Sequence, residues 1–176
     1  MTLLWGSKER FALELGEWSG GLRRVDAWAA GQWLTCDDNM AYIPQLRQSV
    51  HHDHARLHSI TDSPPSFPGL PPAAVHRQFL ANDDEMREQY WFLQWGPTTD
   101  NVTAYLFPNG DHLALTVGFW REEHLRRHPE HVGAVFVAEI EAEELAGILC
   151  DAAAGLGEPT WPKKLSPRLP ARRLRS

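Results

Sequence analysis

The sequence predicts an α+β protein in which one antiparallel sheet of about six strands, arranged as a meander, carries helices on one face. Three observations lead to this fold class. Several segments alternate apolar and polar residues with a period of two, which is typical of half-buried strands. Asn109-Gly110 separates two such segments, and this pair favours a tight hairpin turn. Strands and helices do not alternate regularly, which excludes a parallel sheet built from βαβ units.

The N-terminal region predicts strands joined by short turns. Phe11, Leu13 and Leu15 alternate with more polar positions within residues 10–18, so one face of this strand is expected to be buried. Gly20-Gly21 marks a turn. Two shorter strands are expected at residues 25–29 and 32–35.

A helix is expected after the polar residues 37–39 (Asp-Asp-Asn), because such side chains accept hydrogen bonds from the free amides at a helix N-terminus. Leu46, Val50 and Leu57 then form a partial helical stripe. Residues 62–72 contain five prolines and one glycine, which predicts a loop rather than a regular element. A short helix is expected at residues 73–80.

The second half of the chain predicts a three-stranded meander at residues 89–95, 102–107 and 112–120, with the hairpin at Asn109-Gly110. Residues 121–131 are polar and fit either a short helix or a loop, and residues 133–140 predict a further strand. Residues 141–156 predict a helix, since apolar residues recur there at helical spacing: Leu145, Ile148, Leu149 and Ala152.

Length and charge predict one domain over residues 1–162 and a basic C-terminal tail over residues 163–176. The net charge of −6 is uneven. The tail holds six basic residues and no acid, which leaves 11 basic and 23 acidic residues, or −12, for the rest of the chain. Residues 63–162 alone carry −10, from 15 acids and five bases. Nucleic acid is therefore an unfavourable partner for the domain, although the tail has the composition to contact it.

Targeting signals and cysteine spacing indicate a cytoplasmic protein. No apolar stretch is long enough to cross a bilayer, and the N-terminus does not have the pattern of a secretory signal. Cys36 and Cys150 match no zinc or redox spacing, so both are expected to be free thiols. Two carboxylates follow Cys36 directly, and they would raise the pKa of its thiol.

Histidines offer the main alternative to a binding function. His51, His54 and His58 share one face of the expected helix, and imidazoles at this spacing are able to bind zinc. A zinc protease motif requires a glutamate directly after its first histidine, whereas Ala55 follows His54. A solvated helix face is therefore the favoured interpretation. A metal-dependent enzyme that uses His54 and His58 stays open as an alternative.

Other enzyme motifs are absent from the sequence. No serine nucleophile elbow and no phosphate-binding glycine loop occur. A second histidine pair, His124 and His128, repeats the spacing of the first, with His131 beyond it and Leu125 where a protease would have glutamate. We therefore predict no catalytic residue, no bound metal and no cofactor.

The N-terminal strand RFALELGEW (residues 10–18), the segment WAAGQWL (residues 28–34) and the later strand-rich region resemble small bacterial immunity proteins of polymorphic toxin systems. The immunity protein 42 family is the nearest in pattern. The likeness covers about the first two-fifths of the chain, and the proline-rich loop and basic tail depart from it. It implies a bacterial, non-catalytic protein that binds and blocks one cognate toxin, often a basic nuclease.

We therefore predict a cytoplasmic protein-binding domain whose partner is another protein, with a basic toxin as the specific candidate. An acidic surface would speed association with a basic partner, and tryptophans are frequent anchors in interfaces. The residues predicted to face the partner combine acidic and aromatic side chains: Asp83, Asp84, Glu85, Trp91, Trp95 and Asp100. The sequence leaves open whether the chain forms a homodimer. It also leaves open an accessory protein that contacts nucleic acid through residues 163–176.

Overall fold

The computed structural model describes residues 2–82 and 85–157. The predicted partner residues Asp83 and Asp84 and the basic tail lie outside the described residues. The first part of the chain forms a five-stranded antiparallel sheet, the first sheet. Its strands are β1 (Leu3–Ser7), β2 (Phe11–Ser19), β3 (Leu22–Ala29), β4 (Gln32–Trp33) and β5 (Met40–Ala41). Their order is β1-β2-β3-β4, and β5 also pairs with β3.

Three helices follow the first sheet: α1 (Ile43–Thr61), α2 (Pro72–Ala81) and α3 (Glu85–Tyr90). The second sheet is a four-stranded antiparallel meander in the order of the chain. Its strands are β6 (Trp91–Phe92), β7 (Val102–Asn109), β8 (His112–Phe119) and β9 (Phe136–Ile140). Short 3-10 helices occur at Gly96–Thr98 and Pro129–His131, and two helices complete the fold, α4 (Glu122–Arg127) and α5 (Ala142–Gly155).

The antiparallel α+β class is confirmed, and the strands that the sequence assigned to one sheet are divided between two. The 19-residue helix α1 and the proline-rich loop lie between the two strand groups. Among the described residues, no strand of one group pairs with a strand of the other, and the two groups meet through side chains. No helix in the described part of the chain is long and apolar enough to cross a membrane.

The two sheets share one hydrophobic core. Phe11 on β2 meets Phe92 on β6 with ring centroids 5.9 Å apart. On the opposite face of the second sheet, Phe79 of α2 packs against Tyr105 and Phe107 of β7. The second sheet is therefore covered by α2 on one face and by the first sheet on the other. This double cover explains why most residues of β7, and all residues of β8 except His112, are buried.

Two local expectations were wrong. Residues 37–39 do not cap α1, because Tyr42 precedes the helix and no side chain caps it. Asp37 instead contacts His124, and Asp38 accepts a hydrogen bond from the backbone of Met40. Residues 89–95 are not one strand, since α3 continues to Tyr90 and only Trp91–Phe92 pair with β7. Strand β1 was not predicted.

Helix α5 confirms the C-terminal helical stripe and packs against β1 and β2. Its last residue, Gly155, contacts the indole of Trp5 on β1 so closely that a Cβ there would overlap the ring. The carbonyl of Gly155 also accepts a 2.7 Å hydrogen bond from Arg23 of β3. The end of the helix is thus fixed to the first sheet at two points.

Candidate protein-binding surface

A surface depression of about 520 Å³ lies between α1 and the segment that joins β6 to β7. We call it the aromatic depression. The residues that define it are Gln45, Trp91, Leu93, Trp95, Asp100 and Trp120. Three of the residues predicted to face a partner, Trp91, Trp95 and Asp100, are thereby brought together in one place.

The floor of the aromatic depression is held by a buried carboxylate. Asp53 of α1 is 4% exposed, and its Oδ2 accepts hydrogen bonds from Trp95 Nε1 at 2.8 Å and from the backbone N–H of Leu93 at 3.2 Å. Leu93 has a φ of 61°, in the left-handed region that non-glycine residues seldom adopt. Thr99 Oγ1 donates to the Leu93 carbonyl at 2.6 Å and accepts from the Trp95 N–H at 3.1 Å. These contacts fix an unfavourable backbone conformation at the floor.

Burial also changes the acidity of this carboxyl group. It raises the pKa of Asp53 to about 6, because removal from water disfavours the charged form. The hydrogen bonds from Trp95 and from the backbone of Leu93 oppose this shift. Oδ2 of Asp53 is the acceptor for both groups.

The rim of the aromatic depression carries an exposed tryptophan. Trp120 directly follows β8 and is 57% exposed. The neighbouring Arg121 forms an ion pair with Asp100 at 2.5 Å. The backbone N–H of Trp120 donates to the Asn101 carbonyl at 3.1 Å, so its backbone is anchored while its side chain stays accessible. Exposed, anchored aromatic residues are typical of binding hot spots.

The wall of the depression at Trp91 is held by an arginine of α1. Arg56 donates to the backbone carbonyls of Trp91 at 2.9 Å, Glu88 at 2.9 Å and Gln89 at 2.6 Å. These bonds satisfy the free carbonyls where α3 ends. The Arg87 guanidinium lies 5.5 Å from the centroid of the Trp91 ring. Helix α1 thus positions both the wall, through Arg56, and the floor, through Asp53.

The predicted partner residues differ in accessibility. Trp91 is half-buried and Asp100 is exposed, whereas Trp95 is only 3% exposed and serves the floor. Glu85 is exposed at the start of α3 but does not line the aromatic depression. Sequence reasoning missed Trp120, although a tryptophan placed directly after an alternating strand is a recognisable signal.

The predicted histidine group of α1 does not converge. His54 and His58 are exposed, and His51 lines a neighbouring depression of about 470 Å³ with His52 and Asp53. Over residues 2–82 and 85–157, the single group of three side chains close enough to share a metal ion is Cys36, Asp37 and His124. No residue of α1 belongs to it.

Cys36 is a poor nucleophile in this setting. Burial, and then the charge of Asp37, raise the pKa of its thiol to about 11, as its sequence neighbours led us to expect. A thiol with so high a pKa is protonated at neutral pH and does not attack substrates readily.

Comparison with known proteins gives one structural likeness. The fold is similar to that of CdiI from Burkholderia dolosa AUO158, with a TM-score of 0.59 and 11% sequence identity. The match covers 87% of this chain and 99% of CdiI. No protein-family model matches the sequence, and no curated protein matches it. At this identity, the likeness shows a shared fold.

Proposed function

We propose that the chain is a non-catalytic immunity protein that binds and neutralises a cognate toxin protein through the aromatic depression. The observation that carries this proposal is the exposed Trp120 at the rim of a depression whose floor and wall are fixed by α1. A rigid frame lowers the entropy cost of binding. An accessible indole on such a frame supplies a large apolar contact area with one polar atom.

The fold supports the same function. CdiI is an immunity protein of contact-dependent inhibition, and its fold extends over most of the present chain. Immunity proteins act by occupying a toxin rather than by catalysis, which agrees with the lack of an enzyme motif in the sequence. The high pKa of the Cys36 thiol points in the same direction.

Charge favours a basic toxin as the partner. Residues 1–162 carry −12, and residues 63–162 contribute −10 of it. A field of this sign accelerates encounter with a positively charged protein and weakens as salt screens it. The proposal also implies that this protein is cytoplasmic, because an immunity protein has to bind its toxin in the compartment where the toxin acts.

Survival of cells that co-express a toxin tests the proposal. The probe is the toxin-like reading frame that neighbours the gene, expressed from an inducible promoter with and without this chain. Rescue of growth and co-purification of the two proteins are expected. If the full chain neither rescues growth nor binds that toxin, the proposed immunity function is wrong.

A matched pair of tryptophan variants tests the surface separately. Trp120 and Trp33 are both exposed, at 57% and 38%, but Trp33 stacks on Trp28 at the first sheet. Trp120→Ala is expected to weaken toxin binding by at least about 30-fold, as for a hot-spot residue worth about 2 kcal/mol. Trp33→Ala is expected to change it less than about threefold. Equal effects of the two variants would exclude the aromatic depression as the docking surface.

A further inference from the structure

A polar cluster outside the aromatic depression joins the two sheets. We call it the polar junction, and its members are Cys36, Asp37, Asn101, His124 and His131. The first two lie in the loop between β4 and β5, and Asn101 directly precedes β7. His124 lies on α4 and His131 in the 3-10 helix after it. Residues far apart in the sequence therefore meet at one point, where sheet ends and loops come together.

Three potential metal-ligand atoms lie side by side in the polar junction. His124 Nδ1 is 2.9 Å from Asp37 Oδ2 and 3.7 Å from Cys36 Sγ. All three atoms lie within 4.8 Å of one another. We propose that Cys36 Sγ, Asp37 Oδ2 and His124 Nδ1 bind a divalent transition-metal ion of the zinc class. This site is separate from the proposed toxin-binding surface and does not depend on it.

The distances fit tetrahedral coordination. With zinc about 2.0–2.1 Å from nitrogen and oxygen and about 2.3 Å from sulfur, tetrahedral angles place N and O about 3.3 Å apart and N and S about 3.6 Å apart. The observed separations are 2.9 and 3.7 Å. The N–O and N–S separations therefore need to change by only a few tenths of an ångström to receive the ion, and the O–S separation lies below 4.8 Å.

The donor set indicates which ion fits. Binding of the ion displaces the proton of the Cys36 thiol to solvent, and the resulting thiolate and one carboxylate balance a charge of +2. Sulfur together with imidazole nitrogen favours zinc or a similar ion. Calcium and magnesium prefer oxygen ligands throughout. Three protein ligands leave a fourth position for water or another donor, the arrangement of an open zinc site.

Surrounding groups orient the ligands as outer-shell partners do in zinc proteins. His124 Nε2 lies 2.8 Å from His131 Nδ1, which accepts a hydrogen bond from the Nε2–H of His124 when Nδ1 of His124 binds the ion. Phe119 stacks on the His124 ring with centroids 4.1 Å apart and a 7° interplanar angle. The His124 imidazole is therefore held by His131 at Nε2 and by Phe119 on one face of the ring.

The carboxylate is oriented in the same way. Asn101 Nδ2 donates to Asp37 Oδ2 at 2.9 Å, and this oxygen has a second lone pair for the ion. Arg127 pairs with the other oxygen, Oδ1. Asn101 is 1% exposed, and its own Oδ1 is buried without a hydrogen-bond partner among the described residues. Such an atom indicates that the protein alone does not satisfy every polar group of the junction.

Zinc and cobalt titrations of tag-free protein test the proposal. One equivalent of Zn²⁺ is expected to bind, and Co²⁺ is expected to give a thiolate charge-transfer band together with the visible bands of a tetrahedral ion. Cys36→Ser should abolish the charge-transfer band. His131→Phe should weaken zinc binding by about 10- to 100-fold, as loss of an outer-shell partner does. The double variant His54→Ala/His58→Ala removes two exposed histidines and should leave binding unchanged.

Alkylation of the wild-type thiols provides a measurement that needs no variant. Cys36 is partly buried and Cys150 is exposed, and both are free. At pH 9, where the Cys36 thiol is partly ionised in zinc-free protein, saturating Zn²⁺ should slow modification of Cys36 by iodoacetamide at least tenfold and leave Cys150 unaffected. Absence of a thiolate band, equal alkylation of Cys36 with and without zinc, or loss of binding in His54→Ala/His58→Ala would each overturn the proposal.

Discussion

Trp95 donates its indole N–H to the Asp53 carboxylate at 2.8 Å, and this bond joins α1 to the floor of the aromatic depression. Both side chains are almost completely buried, at 3% and 4% exposure. The same carboxylate oxygen accepts the N–H of Leu93. Asp53 therefore fixes both the side chain of Trp95 and the left-handed backbone conformation of Leu93.

Loss of the Asp53 acceptor should destabilise the protein and loosen this floor. Asp53→Ala leaves the Trp95 indole and the Leu93 N–H buried without an acceptor, and each such group costs about 1–3 kcal/mol. We expect a loss of about 3 kcal/mol in the free energy of unfolding, measured by urea denaturation. Asp53→Asn keeps a carbonyl acceptor and should lose about 1 kcal/mol. The exposed neighbour variant His54→Ala should change stability by less than about 0.5 kcal/mol. Equal stability of Asp53→Ala and His54→Ala would contradict this role.

The pH dependence of stability should contain two opposing contributions. Burial lowers the pKa of His76 from 6.5 to about 4 and raises that of Asp53 from 3.8 to about 6. His76 therefore contributes stability above pH 6.5 that is lost as the pH falls towards 4. Asp53 contributes stability below pH 3.8 that is lost as the pH rises towards 6. Between about pH 4 and 6 the two slopes, each up to about 1.4 kcal/mol per pH unit, should nearly cancel.

Single variants should reveal each slope. In Asp53→Asn the free energy of unfolding is expected to rise with pH from 4 to 6, because the slope of His76 is no longer opposed by that of Asp53. In His76→Phe the rise is expected to be lost or reversed over the same range, because the slope of Asp53 is no longer opposed by that of His76. Urea denaturation at half-unit pH intervals measures both. Parallel curves for the two variants would disprove the opposing assignments.

Two glycines of α5 should respond oppositely to alanine. At Gly147 a Cβ meets open space, so Gly147→Ala should stabilise the protein by up to about 1 kcal/mol through helix propensity. At Gly155 the added Cβ overlaps the Trp5 indole, so Gly155→Ala should destabilise it by about 1–3 kcal/mol through overpacking. Thermal denaturation of both variants checks the pair. A gain in stability for Gly155→Ala would show that Trp5 moves aside without cost.

Arg56 should control the local stability of the segment around α3. Its guanidinium donates to three carbonyls of residues 88–91, and Lys lacks the fork needed to reach all three. Arg56→Lys is therefore expected to lower global stability by only about 1 kcal/mol. It should also increase hydrogen exchange at residues 85–92 while exchange in β8 stays at its wild-type rate. Uniform acceleration across both segments would indicate a global effect instead.

Periodic patterns made most of the fold predictable. The hairpin between β7 and β8 and the stripe of α5 each follow from local residue chemistry, and both occur. The turn of the hairpin is formed by Gly110 and Asp111, one residue later than the predicted Asn-Gly pair, because Asn109 still pairs with His112. The division into two sheets was not predictable in this way, because it depends on contacts such as Phe11 with Phe92 across 80 residues of chain. The strand predicted at residues 89–95 was wrong for a related reason. The composition of this segment favours a strand, but Arg56, which is distant in the sequence, binds the free carbonyls at the end of α3 and stabilises the helix there.

The candidate sites were predictable to different degrees. Tryptophan content pointed to Trp91 and Trp95, yet only packing against α1 decides that Trp95 is buried and that Trp120 stays accessible. The polar junction could not be recognised from spacing, because its ligands come from positions 36, 37 and 124. Sequence spacing favoured a metal site at the exposed histidines of α1. These histidines share a helix face, but they do not belong to the described group of potential metal ligands.

The fixed floor of the aromatic depression has a consequence for how its specificity could change. Asp53, Leu93 and Thr99 set the backbone from within, whereas Gln94 and Trp120 are exposed at its edge. Substitutions at these two positions leave the internal hydrogen bonds intact. Under the proposed function, substitutions at Gln94 and Trp120 would therefore change which toxin is recognised, while the scaffold that presents these side chains stays the same.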